Sequence, residues 1–199
     1  MAVSKMGPAL QLSGDRIMTQ SQSALPLSFD EPVAQTSLVL DVARRIASKL
    51  SIYEPVDRAS IKAMFADVTG GSDANGDWSV KDFGHAVEAA LILAIQSMST
   101  ELGALDSSAM RAKIDAITQL LPRRNVRSLD QMALQQFSTP LWLGGLMAKL
   151  AALQPNDAVL EPSAGTGMLA IWAKLKGSVL HLNEIDPDRR AILGALFPY

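Results

Sequence analysis

Cysteine is absent from this sequence of 199 residues, which excludes disulfide bonds, thiolate catalysis and zinc or iron–sulfur centres held by cysteine. Histidine is scarce as well, and His85 and His181 alone cannot form a histidine-rich metal site. Aromatic residues make up 5% of the chain against 48% hydrophobic residues, so we expect an aliphatic interior. The lack of cysteine is typical of a reducing compartment, and we expect a cytoplasmic protein.

A dominant charge and a long apolar run are also missing. The 18 Lys and Arg residues nearly balance 20 Asp and Glu residues, so a net charge of −2 provides no overall attraction to nucleic acid. The longest apolar run, at residues 89–95, is far shorter than the ~20 residues of a membrane-spanning helix. The first residues lack the basic start and apolar block of a secretory signal. We therefore expect no membrane association.

The first two thirds of the sequence predict a flexible arm followed by a helical bundle. Residues 1–35 are rich in Ser, Gln, Gly and Pro and show no periodic apolar face. Residues 36–121 repeat apolar positions at helical spacing, with helices predicted from residue 36, over 59–68 and over 107–121. Another helix is predicted to begin at a capping box formed by Ser79 and Asp82. His85 lies off the apolar stripe of that helix, so we expect a surface or packing residue.

Two further segments of this region carry little chemistry. Residues 73–77 resemble the start of a calcium loop, but Trp78 and Gly84 stand where an EF-hand needs glycine and glutamate, so no metal site is predicted. Residues 122–135 contain three arginines and are predicted to be a linker, with a phosphate contact as the alternative.

The last third, residues 136–199, has the pattern of an α/β domain. A helix is predicted from Leu141, with Thr139 able to cap it. A short run at residues 158–160 predicts a buried parallel strand ending in Glu161, and a second strand over 178–182 is followed by Glu184. A glycine turn with a helix over 168–175 joins them, and a last helix is predicted over 188–196. This order predicts the first half of a Rossmann-like nucleotide-binding domain.

The turn and the two carboxylates indicate which nucleotide such a domain would bind. Gly165 and Gly167 allow a sharp turn and close approach of a ligand. Glu184 is placed to accept hydrogen bonds from both hydroxyls of a ribose. Glu161 would repel a pyrophosphate and suit an ammonium or sulfonium group. The residues therefore favour S-adenosylmethionine over NAD or ATP, and Asp186 and Asp188 are predicted to be helix-start charges.

Three motifs resemble class I S-adenosylmethionine-dependent methyltransferases of the N6-adenine DNA type. They are Gln136-Phe137-Ser138-Thr139-Pro140, Glu161-Pro162-Ser163-Ala164-Gly165-Thr166-Gly167 and Asn183-Glu184-Ile185-Asp186-Pro187. More narrowly, the chain is similar to the N-terminal region of large bacterial proteins that join such a methylase to a strawberry-notch-like helicase. The methylase resemblance covers about residues 130–198, and the weaker one reaches back to about residue 60.

The resemblance implies that the methionine end of the cofactor contacts Thr139 through its carboxylate and Glu161 through its amino group. By the same resemblance Phe137 would cover the ligand, and Gly165 and Gly167 would line it beside Pro162. Glu184 would accept the ribose hydroxyls, and Ile185 would lie against the adenine. Purely structural alternatives stay open: Thr139 as a helix cap, the glycines as turn residues, and Phe137 and Ile185 as core.

The resemblance also implies that this chain alone is inactive. N6-adenine methyltransferases carry an Asn/Asp-Pro-Pro-aromatic motif that contacts the extruded base, and this sequence contains no such run. We expect a truncated, S-adenosylmethionine-binding portion whose full-length parent contacts DNA, with a homo-oligomer as one way of covering an exposed sheet. The alternatives are a non-enzymatic helical module for binding protein or nucleic acid, and a nicotinamide-dependent dehydrogenase fragment, which Glu161 disfavours.

Overall fold

The computed structural model describes residues 30–122 and 138–198, and their side chains from residue 35 onward. Over these residues the chain is α/β at a coarse level, with helices and a small parallel sheet. The first part contains α1 (Asp30–Ser51), α2 (Arg58–Thr69), α3 (Val80–Ser97), α4 (Ser99–Ala104) and α5 (Ser107–Gln119). The second part contains α6 (Leu141–Leu150), β1 (Ala158–Glu161), α7 (Ala170–Leu175), β2 (Val179–Leu182) and α8 (Pro187–Leu196).

Local capping chemistry sets several helix ends. Asp57 accepts a hydrogen bond from the Ser60 amide at 2.7 Å at the start of α2, and Gly70 ends that helix at φ 70°. The predicted capping box at the start of α3 is confirmed, because Ser79 and Asp82 each accept a hydrogen bond from the other's backbone N–H. Helix α1 begins at Asp30, six residues before its predicted start. The rest of the predicted arm and the predicted linker from residue 123 lie outside the described residues.

The core of the first part lies between α1, α2 and α3. Helix α3 runs along α1 and contributes fully buried Ile92 and Ile95, while α1 contributes Ile46. Phe65 of α2 stacks on Trp78 with ring centroids 4.8 Å apart. The contacts between the isoleucines of α1 and α3 match the aliphatic interior expected from the composition. None of the helices that the structure describes is both long and apolar enough to span a lipid bilayer.

The two strands are parallel, and only one face of the sheet that they form is covered. Ala158 pairs with Val179 and Glu161 with Leu182, and the α7 connection lies between the strands in sequence. Side chains of alternate positions are half-buried on one face, where α7 contacts β2. On the other face Leu160 is 71% exposed and Val179 is 49% exposed. The prediction that β1 is buried is therefore wrong, since no described element covers this second face.

The second part packs against the helical part through several helices. Helix α8 contacts α1, α6 contacts α5, and both α7 and α8 contact α3, so one apolar core runs through both parts. Packing of the C-terminal elements on the helical part was one of two expected arrangements, and helices α6, α7 and α8 do pack there, while the covered face of the sheet lies against α7. Pairing with a second copy stays a prediction.

The junction between α6 and α7 is close enough to need glycine. A Cβ atom at Gly144 would lie 2.8 Å from Trp172 Cδ1 and 3.0 Å from the Met168 carbonyl oxygen. We expect Gly144→Ala to destabilise the protein by about 1–3 kcal/mol through overpacking, measured by urea unfolding. Gly194→Ala in α8 is the matched control: its Cβ would meet no atom within 4 Å, and helix propensity favours alanine by about 1 kcal/mol. Equal midpoints for the two variants would contradict this packing.

Candidate functional site

The ends of the two strands are tied together by backbone hydrogen bonds. The Asn183 amide donates to the Glu161 carbonyl at 3.0 Å, and the Ala164 amide donates to the Asn183 carbonyl at 2.8 Å. The Asn183 side chain also donates to the Pro162 carbonyl at 3.0 Å. The glycine turn after β1 is therefore held directly against the end of β2.

Glu184 forms part of this turn. Its carboxylate is buried, with Oε2 accepting from the Gly165 amide at 2.7 Å and Oε1 from the Asp186 amide at 2.9 Å. A carboxylate has about four acceptor positions, so each oxygen retains capacity for one more donor. The predicted ribose ligand is thus also the residue that fixes the backbone of the glycine turn.

The two glycines of the turn do different things. Both have positive φ, 59° at Gly165 and 105° at Gly167, a region that favours glycine. A Cβ at Gly167 would lie 2.2 Å from Phe197 Cε2, so this glycine is required for packing on α8. Helix α7 begins at Ala170, two residues later than predicted, and has six residues. The expected helix N-terminus directly behind the glycines is therefore absent at that position.

A small polar cavity lies beside the turn and brings distant motifs together. We call it the polar cavity; its volume is about 40 Å³, and its lining comprises Glu88, Ser138, Thr139, Ser163, Ala164, Gly165, Thr166, Met168, Leu169 and Arg189. Thr139 of the first motif thus meets Gly165 of the second. Such a volume holds a few water molecules or a small charged group, whereas pockets for whole cofactors measure about 300–1,000 Å³.

Thr139 reaches this cavity because it is not part of α6. The N-cap of α6 is Pro140, which has no side-chain capping hydrogen bond. The prediction that Thr139 caps this helix is therefore wrong. The half-buried Thr139 lies one residue before the cap and lines the polar cavity instead.

The polar cavity contains one buried charge of each sign. Glu88 of α3 is 3% exposed and accepts hydrogen bonds from the Ser138 hydroxyl and, at 2.8 Å, from the Thr166 hydroxyl. Arg189 of α8 is 4% exposed, and its Nη2 lies 4.0 Å from Glu88 Oε1. Arg189 Nε has no hydrogen-bond partner within the part of the chain that the structure describes.

Glu88 belongs to a polar face of α3 that contacts the second part of the chain. This α3 polar face consists of Lys81, His85 and Glu88, spaced four and three residues apart and therefore on one side of the helix. Lys81 pairs with Asp186 at 3.0 Å and with Asp188 at 2.7 Å. Burial lowers the pKa of Lys81, but hydrogen bonds to the two aspartates outweigh it and raise the pKa above its ordinary value.

The two aspartates begin α8, as predicted. Asp186 is its N-cap and accepts hydrogen bonds from the Asp188 amide at 2.9 Å and the Arg189 amide at 3.1 Å. Their role as helix-start charges is confirmed. The sequence motifs did not single out Arg189 or Glu88, although Glu88 and His85 on the largely apolar helix α3 were an available signal.

The remaining predicted residues that the structure describes lie outside the lining of the polar cavity. Glu161 is half-buried outside it, and its Oε1 accepts from the Ser163 amide at 3.2 Å. Pro162 is exposed, and Ile185 is 78% exposed, so the alternative of Ile185 as core is wrong. Phe137 lies outside the described residues. The second and third motifs meet at Gly165 and Glu184, while Glu161 and Ile185 stay separate from that contact.

A second, larger cavity follows β2 on the side facing α8. Its volume is about 600 Å³, within the range of ligand pockets, and Glu184 is one of its lining residues. Leu180 and Leu182 of β2 and Leu193 and Phe197 of the α8 side make its wall mostly apolar. Glu184 therefore lines the larger, mostly apolar cavity and bonds to the Gly165 amide, whose residue lines the polar cavity.

Comparison of the chain with protein-family models, curated proteins and solved structures found no match. Among the described residues, no group of three or more His, Asp or Glu side chains is placed to hold a metal ion. The candidate function therefore depends on the geometry of the turn and on the sequence motifs alone.

His85 was expected to be either a surface residue or a packing residue. It is fully buried, so it is a packing residue. Neither ring nitrogen has a hydrogen-bond partner among the described residues. Burial lowers the pKa of His85 and the nearby Arg189 and Lys81 act in the same direction, against the opposing effect of Glu88 and Asp186. The folded protein therefore favours the neutral ring, and stability is complete only above the unfolded-state pKa of about 6.5.

We expect the free energy of unfolding to fall as the pH drops below about 6.5, by up to about 1.4 kcal/mol per pH unit from this group. His85→Leu removes this dependence and two unpartnered nitrogens, so its stability should fall less between about pH 7 and pH 5.5. Urea unfolding at several pH values measures the effect. His181→Gln, at an exposed position, is the control and should behave as the wild type. The same pH dependence in His85→Leu would contradict the burial argument.

Proposed function

We propose that this chain is the S-adenosylmethionine-binding portion of a DNA adenine-N6 methyltransferase, with the start of a Rossmann-like domain and no methyl transfer of its own. The observation that carries the proposal is the convergence of three separate motifs. Thr139 and Gly165 line one cavity, and Glu184 accepts a hydrogen bond from the Gly165 amide. Thr139 lies 26 positions before Gly165, and Glu184 lies 19 positions after it, yet all three lie around the turn that follows a parallel strand.

The chemistry of this turn fits parts of S-adenosylmethionine. Glu184 retains acceptor capacity for ribose hydroxyls and borders the larger cavity. The polar cavity offers a carboxylate, a guanidinium and hydroxyl groups, which suit an amino-acid end. Its 40 Å³ accommodates charged groups of that end rather than a whole cofactor, so we expect weak binding.

The carboxylates also support a cationic ligand over a polyphosphate. Glu88, Glu161 and Glu184 surround the turn, and α7 is too short to supply a strong helix dipole. A diphosphate would bring like charges together in a partly buried place. In the proposed full-length parent, DNA is the partner that receives the methyl group, and a second copy of the chain is a candidate cover for the exposed sheet face.

One observation favours a second candidate, a non-enzymatic helical interaction module with a vestigial nucleotide turn. Both oxygens of Glu184 accept backbone amides, and Gly167 packs against Phe197. These contacts explain Glu184 and one glycine by folding alone. Ligand binding separates the two candidates.

Titration calorimetry with S-adenosylmethionine tests the proposal directly. We expect weak but measurable binding, on the order of 0.1–1 mM, and none for ATP or NADH under the same conditions. Glu184→Gln should weaken binding about tenfold or more, because hydrogen bonds to a charged acceptor contribute about 1.5–3 kcal/mol. Glu54→Gln, an exposed carboxylate on the loop after α1, is the matched control. Thermal unfolding checks that both variants fold, and binding of ATP or NADH in preference would contradict the proposal.

A methyl-transfer assay tests the second half of the proposal. With radiolabelled S-adenosylmethionine and adenine-containing DNA, we expect the purified chain to incorporate no label, since the Asn/Asp-Pro-Pro-aromatic run is missing from its sequence. An unrelated active adenine methyltransferase serves as the positive control. Turnover by the 199-residue protein would overturn this expectation.

A further inference from the structure

We propose that the outer edge of β2 is a docking site for an extended, acidic segment of a partner polypeptide, which adds to the sheet as a further strand. The segment carries apolar side chains on one face and a carboxylate at each end. The inference does not rest on the proposed function, and its test uses no adenosyl compound.

The first support is the backbone of β2 on the side away from β1, which we call the outer edge. The Val179 amide donates to the Asp157 carbonyl, on the β1 side, at 2.8 Å. Successive residues of a strand direct their backbone groups to opposite edges, so those of Leu180 and Leu182 point away from β1. Within the described ranges the sheet has no strand on that edge. Such an edge pairs readily with another extended segment.

The second support is the larger cavity, whose described lining includes residues of β2 and none of β1. It therefore lies beside the outer edge. Leu180 and Leu182 form its wall on the sheet side, and Leu193 and Phe197 form its wall on the α8 side. Every second side chain of an added strand would point into this space of about 600 Å³. We therefore expect these side chains to be apolar.

The third support is charge complementarity. Lys174 and Arg190 line the cavity, and both donate to backbone carbonyls rather than to carboxylates: Lys174 to Leu196 at 2.9 Å and Arg190 to Glu184 at 3.4 Å. Glu184 supplies the carboxylate of the described lining, and both of its oxygens accept amides of the glycine turn. Carboxylates on the incoming segment would complement the two cations.

The two cations lie at opposite ends of β2. The Ser178 amide donates to the Ala173 carbonyl at 3.1 Å, which places the end of α7, with Lys174, beside the start of the strand. Arg190 contacts the carbonyl of Glu184, two residues after the strand ends. An extended segment of seven residues spans about 20 Å, which is the reach from residue 178 to residue 184 at about 3.3 Å per residue.

The same features disfavour two other occupants. Pairing of the outer edge with that of a second copy would bring Lys174 and Arg190 of both copies to one merged cavity, so like charges would meet. An anionic amphiphile such as dodecanoate matches the apolar wall and the cations. It lacks the alternating donors and acceptors that pair with the backbone groups of Leu180 and Leu182.

The probe is the blocked heptapeptide Asp-Thr-Val-Thr-Val-Thr-Asp, which places its Val and Asp side chains on one face of a strand. In nuclear magnetic resonance titrations of the isotope-labelled chain, we expect the amide signals of Leu180 and Leu182 to shift, with a dissociation constant on the order of 0.1–1 mM. The same peptide with Lys in place of both Asp residues should bind about fivefold or more weakly. These comparisons need no variant of the protein.

Two modified peptides test the backbone pairing. One is N-methylated at both Val residues and the other at the three Thr residues, so each lacks the backbone donors of alternate positions. Because only alternate residues of an added strand face the outer edge, we expect one of the two peptides to lose binding and the other to keep it.

A variant assigns the charge preference. Arg190→Gln should bind the acidic peptide about two- to threefold more weakly, because one exposed ion pair is lost. Arg45→Gln, at an exposed arginine of α1 that pairs with Asp67, is the matched control and should bind as the wild type. Thermal unfolding checks that both variants fold.

Each outcome decides the inference. Shifts centred on Leu180 and Leu182, together with weaker binding of the lysine peptide, support the docking site. It is overturned if the acidic peptide shifts neither signal, if the lysine peptide binds equally well, or if neither N-methylated peptide loses binding. Shifts of these signals with protein concentration alone would assign the edge to a second copy, and shifts with dodecanoate but not with the peptide would assign the cavity to an amphiphile.

Discussion

The α3 polar face is buried against the glycine turn and the start of α8, and the position of both depends on this contact. Lys81 meets Asp186 and Asp188, and Glu88 meets Thr166, a residue 78 positions away in sequence. Removing one member of a buried ion pair typically costs about 3–5 kcal/mol, because the other charge is left without compensation. The helical part and the sheet are therefore one structural unit around a charged contact as well as an apolar core.

This contact changes the chemistry expected of a glycine turn. In nucleotide-binding domains the turn usually presents free amides and a long helix N-terminus to phosphate groups. Here the Gly165 amide donates to Glu184, and the helix that follows has six residues. Beside this turn lie two charged side chains of opposite sign, Glu88 of α3 and Arg189 of α8, in place of a long helix N-terminus. The proposed ligand, which has a zwitterionic and cationic end, is compatible with these charges, whereas a diphosphate would meet like charge.

The sequence predicted local structure well where local interactions decide it. The helix predicted over 59–68 ends in the structure at Gly70, which has a left-handed φ, and the predicted box of Ser79 and Asp82 begins α3. The two strands and the turn between them were also expected, because apolar runs and glycines mark them. Phe137 and the predicted linker lie outside the described residues, so these expectations stay predictions.

Prediction from the sequence failed where the environment of a residue depends on contacts with residues distant in the chain. Leu160 looked buried because it is apolar, yet no described element covers its face of the sheet. Gly167 looked like a ligand contact, but its place is set by Phe197, thirty residues later. Glu88 had no motif of its own and became a site candidate only when α3 was packed against the turn. The helical spacing of Lys81, His85 and Glu88 on α3 was the sign of that contact.

A crystal structure of the chain with S-adenosylhomocysteine is the most direct test of the account. We predict a ligand whose amino-acid end lies at the polar cavity and whose ribose hydroxyls contact Glu184. A ligand bound away from the glycine turn, or a crystal grown with S-adenosylhomocysteine in which no ligand is bound at Glu184, would contradict the account.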